Sequence, residues 1–173
     1  MKILKSPVGI LTIIAVLVIV LATVIFIKSG DDSNTKSEPM GQAYEVQGAQ
    51  HIEPGTEHPA YNSNPPTSGS HYPQAAQRDF YDRALQDEQL VHNLEHGEIW
   101  MSYKGIDDNT KRELAAIYSR NRGSVIVTAR EANERPICLA SWGRLMCMDS
   151  LDVETVNDFI KANKNNSPEP LAR

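Results

Sequence analysis

From Val8 to Ile27 the chain runs almost without a polar side chain. Seventeen of those 20 residues are apolar, and the others are Gly9, Thr12 and Thr23. At a helical rise of ~1.5 Å per residue, ~20 residues cross a ~30 Å hydrocarbon core. The apolar core of a cleaved leader is shorter, ~7–15 residues, and ends at a small-residue cleavage site. Thr23-Val24-Ile25-Phe26-Ile27 offers none, so the run is expected to be an uncleaved transmembrane anchor. Lys2 and Lys5 precede it, and Lys28, Asp31 and Asp32 follow. The positive-inside rule then keeps residues 1–7 in the cytoplasm and exports the rest. Position 2 is Lys and the chain ends Pro-Leu-Ala-Arg, so no lipidation motif competes with this anchor.

Residues 28–43 are mostly Ser, Asp, Asn, Lys and Glu and read as a flexible linker. Residues 44–76 are rich in Pro, Gly, Asn, Ser and His and fit neither the 3.6 nor the 2.0 period, which predicts a long irregular segment. Regular patterning begins at residue 77. Gln77–Gln86 has helical composition, with Phe80 and Ala84 one turn apart. Leu90–His96 reads as a second helix closed by Gly97. Glu98–Tyr103 alternates like a strand, with Ile99, Met101 and Tyr103 on one face. Asp107 or Asp108 caps a helix through Arg122, with Leu114, Ile117 and Tyr118 inward and Gly123 ending it. Ser124–Ala129 is a β-branched strand, and Ile137–Trp142 and Leu145–Met148 predict a hairpin around Gly143. Asp152 caps a last helix with Val153, Val156, Phe159 and Ile160 inward. The fold class expected is α+β: one N-terminal transmembrane helix, then a single compact domain over residues 44–166. That domain has about three helices and a small mixed or antiparallel sheet. Residues 167–173, which include Ser167-Pro168-Glu169-Pro170, read as a disordered tail.

Charge removes one class of function. The chain holds 17 basic and 22 acidic side chains. Three of the lysines lie in the first 30 residues, so residues 31–173 carry 14 basic against 22 acidic groups. They lack the basic stripe a nucleic-acid partner requires. Two cysteines are too few for a disulfide scaffold or a four-cysteine zinc site.

The chemistry concentrates in His92-Asn93-Leu94-Glu95-His96. Residues four apart on a helix share a face, so His92 and His96 can grip one metal ion. At 100° per residue Leu90, Val91 and Leu94 fall on one arc and the histidines roughly opposite it. The pair therefore faces solvent, a cleft or residues 44–76. The bland alternative is a histidine near a helix C-terminus, favoured by the dipole or hydrogen-bonded to a loop carbonyl. The same five residues spell H-x-x-E-H, the inverzincin metallopeptidase signature, with Glu95 as general base. Glu131, Glu134 and Glu154 are then possible third ligands. Asn64-Pro65-Pro66-Thr67-Ser68-Gly69-Ser70-His71 is a second constellation. Its prolines stiffen the arm and Gly69 allows a turn, delivering Thr67, Ser68 and His71 to a defined place. His71 becomes a third ligand, or the arm merely packs on the sheet. His51 and His58 read as surface residues, and Trp100, Trp142 and Tyr103 as core or rim aromatics.

Cys138 and Cys147 lie directly opposite if Ser141–Arg144 is a four-residue hairpin loop. A disulfide, a pair of buried thiols and soft-metal binding are all open to them. Met146 and Met148 add thioethers suited to copper, but strand alternation sends them to the face opposite Cys147.

Three blocks, Tyr61–His71, Leu90–Gly97 and Ala140–Arg144, together resemble the domain-of-unknown-function family numbered 3105. The likeness covers about residues 48–169. Ser70 stands where proline is expected. The family's members are largely bacterial and often carry one N-terminal membrane anchor. The resemblance implies that His71, His92, Glu95 and His96 recur as a set, and it implies no activity.

The reading that results is a membrane-tethered extracytoplasmic domain. It binds copper or zinc through His71, His92 and His96, with Glu95 as orienting partner or fourth ligand. Its role would be metal handling or metalloprotein maturation, with an unknown membrane or exported partner protein. A hydrolase with Glu95 as base and a non-catalytic assembly module are the alternatives.

Overall fold

The computed structural model describes residues 38–171; the expected anchor Val8–Ile27, residues 1–7 and most of the linker lie outside the described residues. Among the described residues no helix is long and apolar enough to cross a membrane. The described part is an α+β unit of three helices and one mixed six-stranded sheet. Its elements are β1 (Gln42–Ala43), β2 (Phe80–Tyr81), α1 (Asp87–Glu95), β3 (Ile99–Tyr103) and α2 (Asp108–Arg120). They continue as β4 (Val125–Ala129), β5 (Ile137–Ser141), β6 (Arg144–Met148) and α3 (Val153–Asn163). The strand order is β1-β6-β5-β3-β4-β2, with β3, β4 and β2 parallel to one another and the other pairs antiparallel.

The central strand β3 is buried on both faces, and its alternation sorts the core in two. Ile99, Met101 and Tyr103 join Leu114 and Ile117 of α2 and Val156, Phe159 and Ile160 of α3. Trp100 points the other way, toward Leu90 and Leu94 of α1. Helices α2 and α3 therefore cover one face, while α1 covers the other together with the irregular segment. Both α2 and α3 begin where the sequence places a cap. Asp107 Oδ1 accepts from Thr110 N, and Asp152 Oδ1 accepts from Glu154 N and Thr155 N.

Four local expectations are corrected. Gln77–Gln86 is not a helix. Phe80 and Tyr81 form an edge strand on β4 instead, and the Phe80 ring stacks on Tyr103 and meets Tyr118 edge-on. That aromatic packing on an otherwise open sheet edge outweighs weak local helix propensity. Gln42–Ala43, placed in the linker by composition, pairs with Leu145 and Arg144 of β6. Just before it, Asn163 of α3 holds both the N–H and the carbonyl of Met40. The hairpin is tighter than expected by one pair, with Ser141 opposite Arg144 and only Trp142-Gly143 in the turn. Finally, part of the stretch expected to be a frayed tail is hydrogen-bonded. Glu169 N donates to Glu95 O and Leu171 N to His96 O.

The end of α1 is consequently a crossing of three segments. Gly97 sits at φ +79°, and Asn165 N donates to its carbonyl at 2.9 Å. A Cβ on Gly97 would meet Asn165 Cα at 2.7 Å, a backbone atom with no room to retreat. Gly97→Ala should therefore destabilise the domain by at least ~2 kcal/mol, combining left-handed strain with the overlap. Urea denaturation of the variant checks this, and an unchanged midpoint would contradict it.

Candidate metal centre

Asn93, in the middle of α1, explains how the helix and the arm meet. Its side chain receives the N–H of Ala76, donates to the Ala76 carbonyl and also donates to Glu98 Oε2. It is fully buried, so the histidine one position earlier is turned toward the chain that precedes residue 76. The arm is fixed at its other end by the hairpin turn, where Gly143 N donates to Thr67 O. Thr67 and Ser68 are buried with it. Residues 47–52 run alongside it. Gly69 N donates to Gly48 O, His71 N to Gln50 O and Ile52 N to His71 O, a parallel bridge that pairs His51 with His71.

These supports bring imidazole rings together. The ring centroids of His51, His71 and His92 form a nearly equilateral triangle with sides of 4.9, 5.0 and 5.1 Å. His96 lies one turn along α1, its centroid 4.5 Å from that of His92. His71 is completely buried and His92 and Glu95 nearly so, while the side chain of His51 is 52 % exposed.

The proton positions follow from the partners. His71 Nδ1 lies 2.8 Å from the carbonyl of Gly69, and His92 Nδ1 lies 2.6 Å from that of Tyr72. A carbonyl oxygen only accepts, so both Nδ1 atoms carry hydrogen and donate. The lone pair of each neutral ring is then on Nε2. His71 Nε2 faces Glu95 Oε2 at 3.0 Å, and His51 Nε2 stands 3.7 Å from the same oxygen. His92 Nε2 lies 3.1 Å from His96 Nε2, and His96 Nε2 lies 3.6 Å from Glu169 Oε2. A ring lone pair and a carboxylate oxygen attract only through a positive centre between them, either a second ring proton or a metal ion. Burial pushes the His71 imidazole below the ordinary histidine range, against the opposing pull of the Gly69 carbonyl and Glu95. Burial and the neighbouring His92 do the same to His96. Both therefore favour the neutral, metal-ready form at pH 7.

Two groups have donor atoms all within 4.8 Å of one another: His51, His71 and His92, and His92, Glu95 and His96. Metal–nitrogen bonds of ~2.0–2.1 Å place tetrahedral ligand atoms ~3.3 Å apart. The 3.1 Å pair of His92 and His96, both in the second group, matches such an edge. Backbone carbonyls holding the far nitrogen of His71 and His92 supply the orientation that liganding imidazoles normally receive.

Of the four residues singled out in the sequence, His92 belongs to both groups, His71 to the first, and Glu95 and His96 to the second. The sequence places His51 at the surface, and half of its side chain is exposed. Its place in the triangle comes from the bridge to His71, which no sequence period encodes. His58 lies apart, against Glu88 and the Pro59 carbonyl.

Among the described residues the sulfur atoms take no part. Cys138 and Cys147 are a disulfide across β5 and β6, in the register expected for opposed residues. Met146 and Met148 pack with the α2 and α3 core, on the face away from α1. A cleft of about 630 Å³ lies elsewhere, lined by Tyr44, Tyr61, Asn64, Arg135 and Leu145 among others, and none of its lining residues is a histidine.

The three blocks quoted from the sequence meet at this point. The first is the arm, the second is α1, and the third places the Trp142 ring edge-on to His71, with centroids 6.5 Å apart. The family described as a protein of unknown function, DUF3105, matches residues 51–173. No curated protein and no solved structure matches the chain.

Proposed function

The chain belongs to the DUF3105 family, and from its site we propose that it binds one transition-metal ion, copper or zinc, on the extracytoplasmic side of a membrane. His71 and His92 are the central ligands, with His51, His96 and Glu95 as the neighbouring donors. The single observation that carries this is the proton count. His71 and His92 spend their ring hydrogens on backbone carbonyls, which leaves each a free lone pair on Nε2, and both rings stand in groups whose nitrogen and carboxylate donors lie within 4.8 Å of one another. Imidazole and carboxylate without sulfur suit a divalent ion such as Zn²⁺ or Cu²⁺.

The setting rests on two supports. The apolar run Val8–Ile27 has the length and flanking charge of a single-pass anchor with its N-terminus inside. The Cys138–Cys147 disulfide fits an oxidising compartment. A tethered metal site in such a place suits metal handling, or maturation of a membrane or exported metalloprotein. Hydrolysis gains no comparable support, because Glu95 is 4 % exposed and lies against His71 rather than beside an open cleft.

Elemental analysis tests the reading. The full chain, purified in detergent without chelator or polyhistidine tag, should carry or take up about one equivalent of copper or zinc. A His71→Ala/His92→Ala variant should carry none. Stoichiometric metal in both, or in neither after incubation with Zn²⁺ and Cu²⁺, would contradict it.

A further inference from the structure

The two donor groups cannot both be filled. His92 is the member they share, and its Nδ1 hydrogen is committed to the Tyr72 carbonyl at 2.6 Å. Only Nε2 has a lone pair in the plane of the ring, and one lone pair makes one metal bond. We infer that the domain holds a single ion in either of two adjoining positions, with His92 as the pivot ligand that stays attached while the ion moves from one to the other. This rests on the metal-binding reading above.

In the first position the ion is bound by His51, His71 and His92, and in the second by His92, Glu95 and His96. Passage between them is ligand exchange at constant oxidation state. Bonds to His51 and His71 break, bonds to Glu95 and His96 form, and the His92 bond persists. Glu95 lowers the barrier, since its carboxylate already stands 3.0 Å from His71 Nε2 and 3.7 Å from His51 Nε2. Each position also has its own side open to solvent. His51 is 52 % exposed on one, and on the other His96 is 23 % exposed, with the outward Glu169 carboxylate 3.6 Å from it. An ion accepted through one entrance can leave through the other without release into bulk water. That is the geometry a donor-to-acceptor metal carrier requires, whereas a purely structural site would be closed on one full set of ligands.

Cobalt(II) titration of the full chain in detergent tests this, because its visible absorption reports the donor set. The wild-type protein should saturate at one equivalent even in excess cobalt. His51→Ala and His96→Ala should each still saturate at one equivalent, with different absorption envelopes, because each confines the ion to the opposite position. His92→Ala should lose more than the ~10–100-fold in affinity that follows loss of an outer partner. A second bound equivalent in the wild type would overturn the shared-ligand inference while leaving metal binding standing. So would identical spectra for the His51 and His96 variants, or failure of one of them to bind. No cobalt in the wild type would remove both. His51 and His96 are the more exposed rings, so those variants decide the matter even if His92→Ala does not fold.

Discussion

Arg130→Met should cost the domain about 3 kcal/mol, from the loss of a largely buried charge pair whose acidic partner is left behind. Arg130 is 9 % exposed. Its Nε and Nη2 donate to the two oxygens of Asp87 at 2.9 and 2.7 Å, and Nη1 donates to Asn64 Oδ1 at 2.6 Å and Asn133 Oδ1 at 3.1 Å. Its guanidinium also lies 5.6 Å from the centroid of Trp100. Methionine fills the volume but leaves both Asp87 oxygens and Asn64 Oδ1 without the Arg130 donor, while Asn133 Oδ1 keeps the Ser102 hydroxyl. The cost stays at the low end of the range for buried pairs because the Asp87 side chain is 27 % exposed and keeps some hydration. Arg130→Lys should recover only part of the loss, since a point charge cannot serve both carboxylate oxygens and the Asn64 amide together. The site should suffer as well. Asp87 opens α1, which carries His92, and Asn64 opens the arm that carries His71, so Arg130 fixes the two against each other. Urea denaturation and a zinc titration on each variant check this, and a methionine variant with wild-type midpoint and affinity would contradict it.

Replacing both Cys138 and Cys147 with alanine should lower stability by a similar amount. The crosslink joins residues nine apart, and closing a loop of that size removes ~2.7 kcal/mol of unfolded-chain entropy. Its consequence for the site runs through the hairpin. Gly143 N holds the Thr67 carbonyl, and Trp142 stands beside His71, so a loosened β5–β6 turn frees the arm where His71 is delivered. Denaturation of the double variant, compared with wild type under oxidising and reducing conditions, measures both effects. Wild-type stability under oxidising conditions in the alanine variant would contradict the estimate.

How much of this was legible beforehand follows physical lines. The helices α1, α2 and α3 were readable because each has a cap or a glycine stop and an apolar stripe of matching period. The opposition of Cys138 and Cys147 was readable because a hairpin register is set by its turn. The two-residue strands β1 and β2 were not. Their identity comes from the edge they join, and two residues carry no period. At the site, the helical spacing of His92 and His96 could be read directly, and the prolines marked the arm. His51 could not be found this way, because it enters by a backbone bridge to a residue far along an irregular chain. The Arg130 cluster was equally hidden, its partners Asp87 and Asn64 lying 43 and 66 positions away.

The claim that matters most is that neutral imidazole nitrogens of this domain ligate a metal ion. X-ray absorption at the zinc or copper edge of the loaded full chain measures it most directly. The account predicts nitrogen and oxygen neighbours at ~2.0–2.1 Å with the outer-atom scattering of at least two imidazoles, reduced to fewer rings in His92→Ala. A sulfur shell at ~2.3 Å, or an oxygen shell with no imidazole signature, would contradict it.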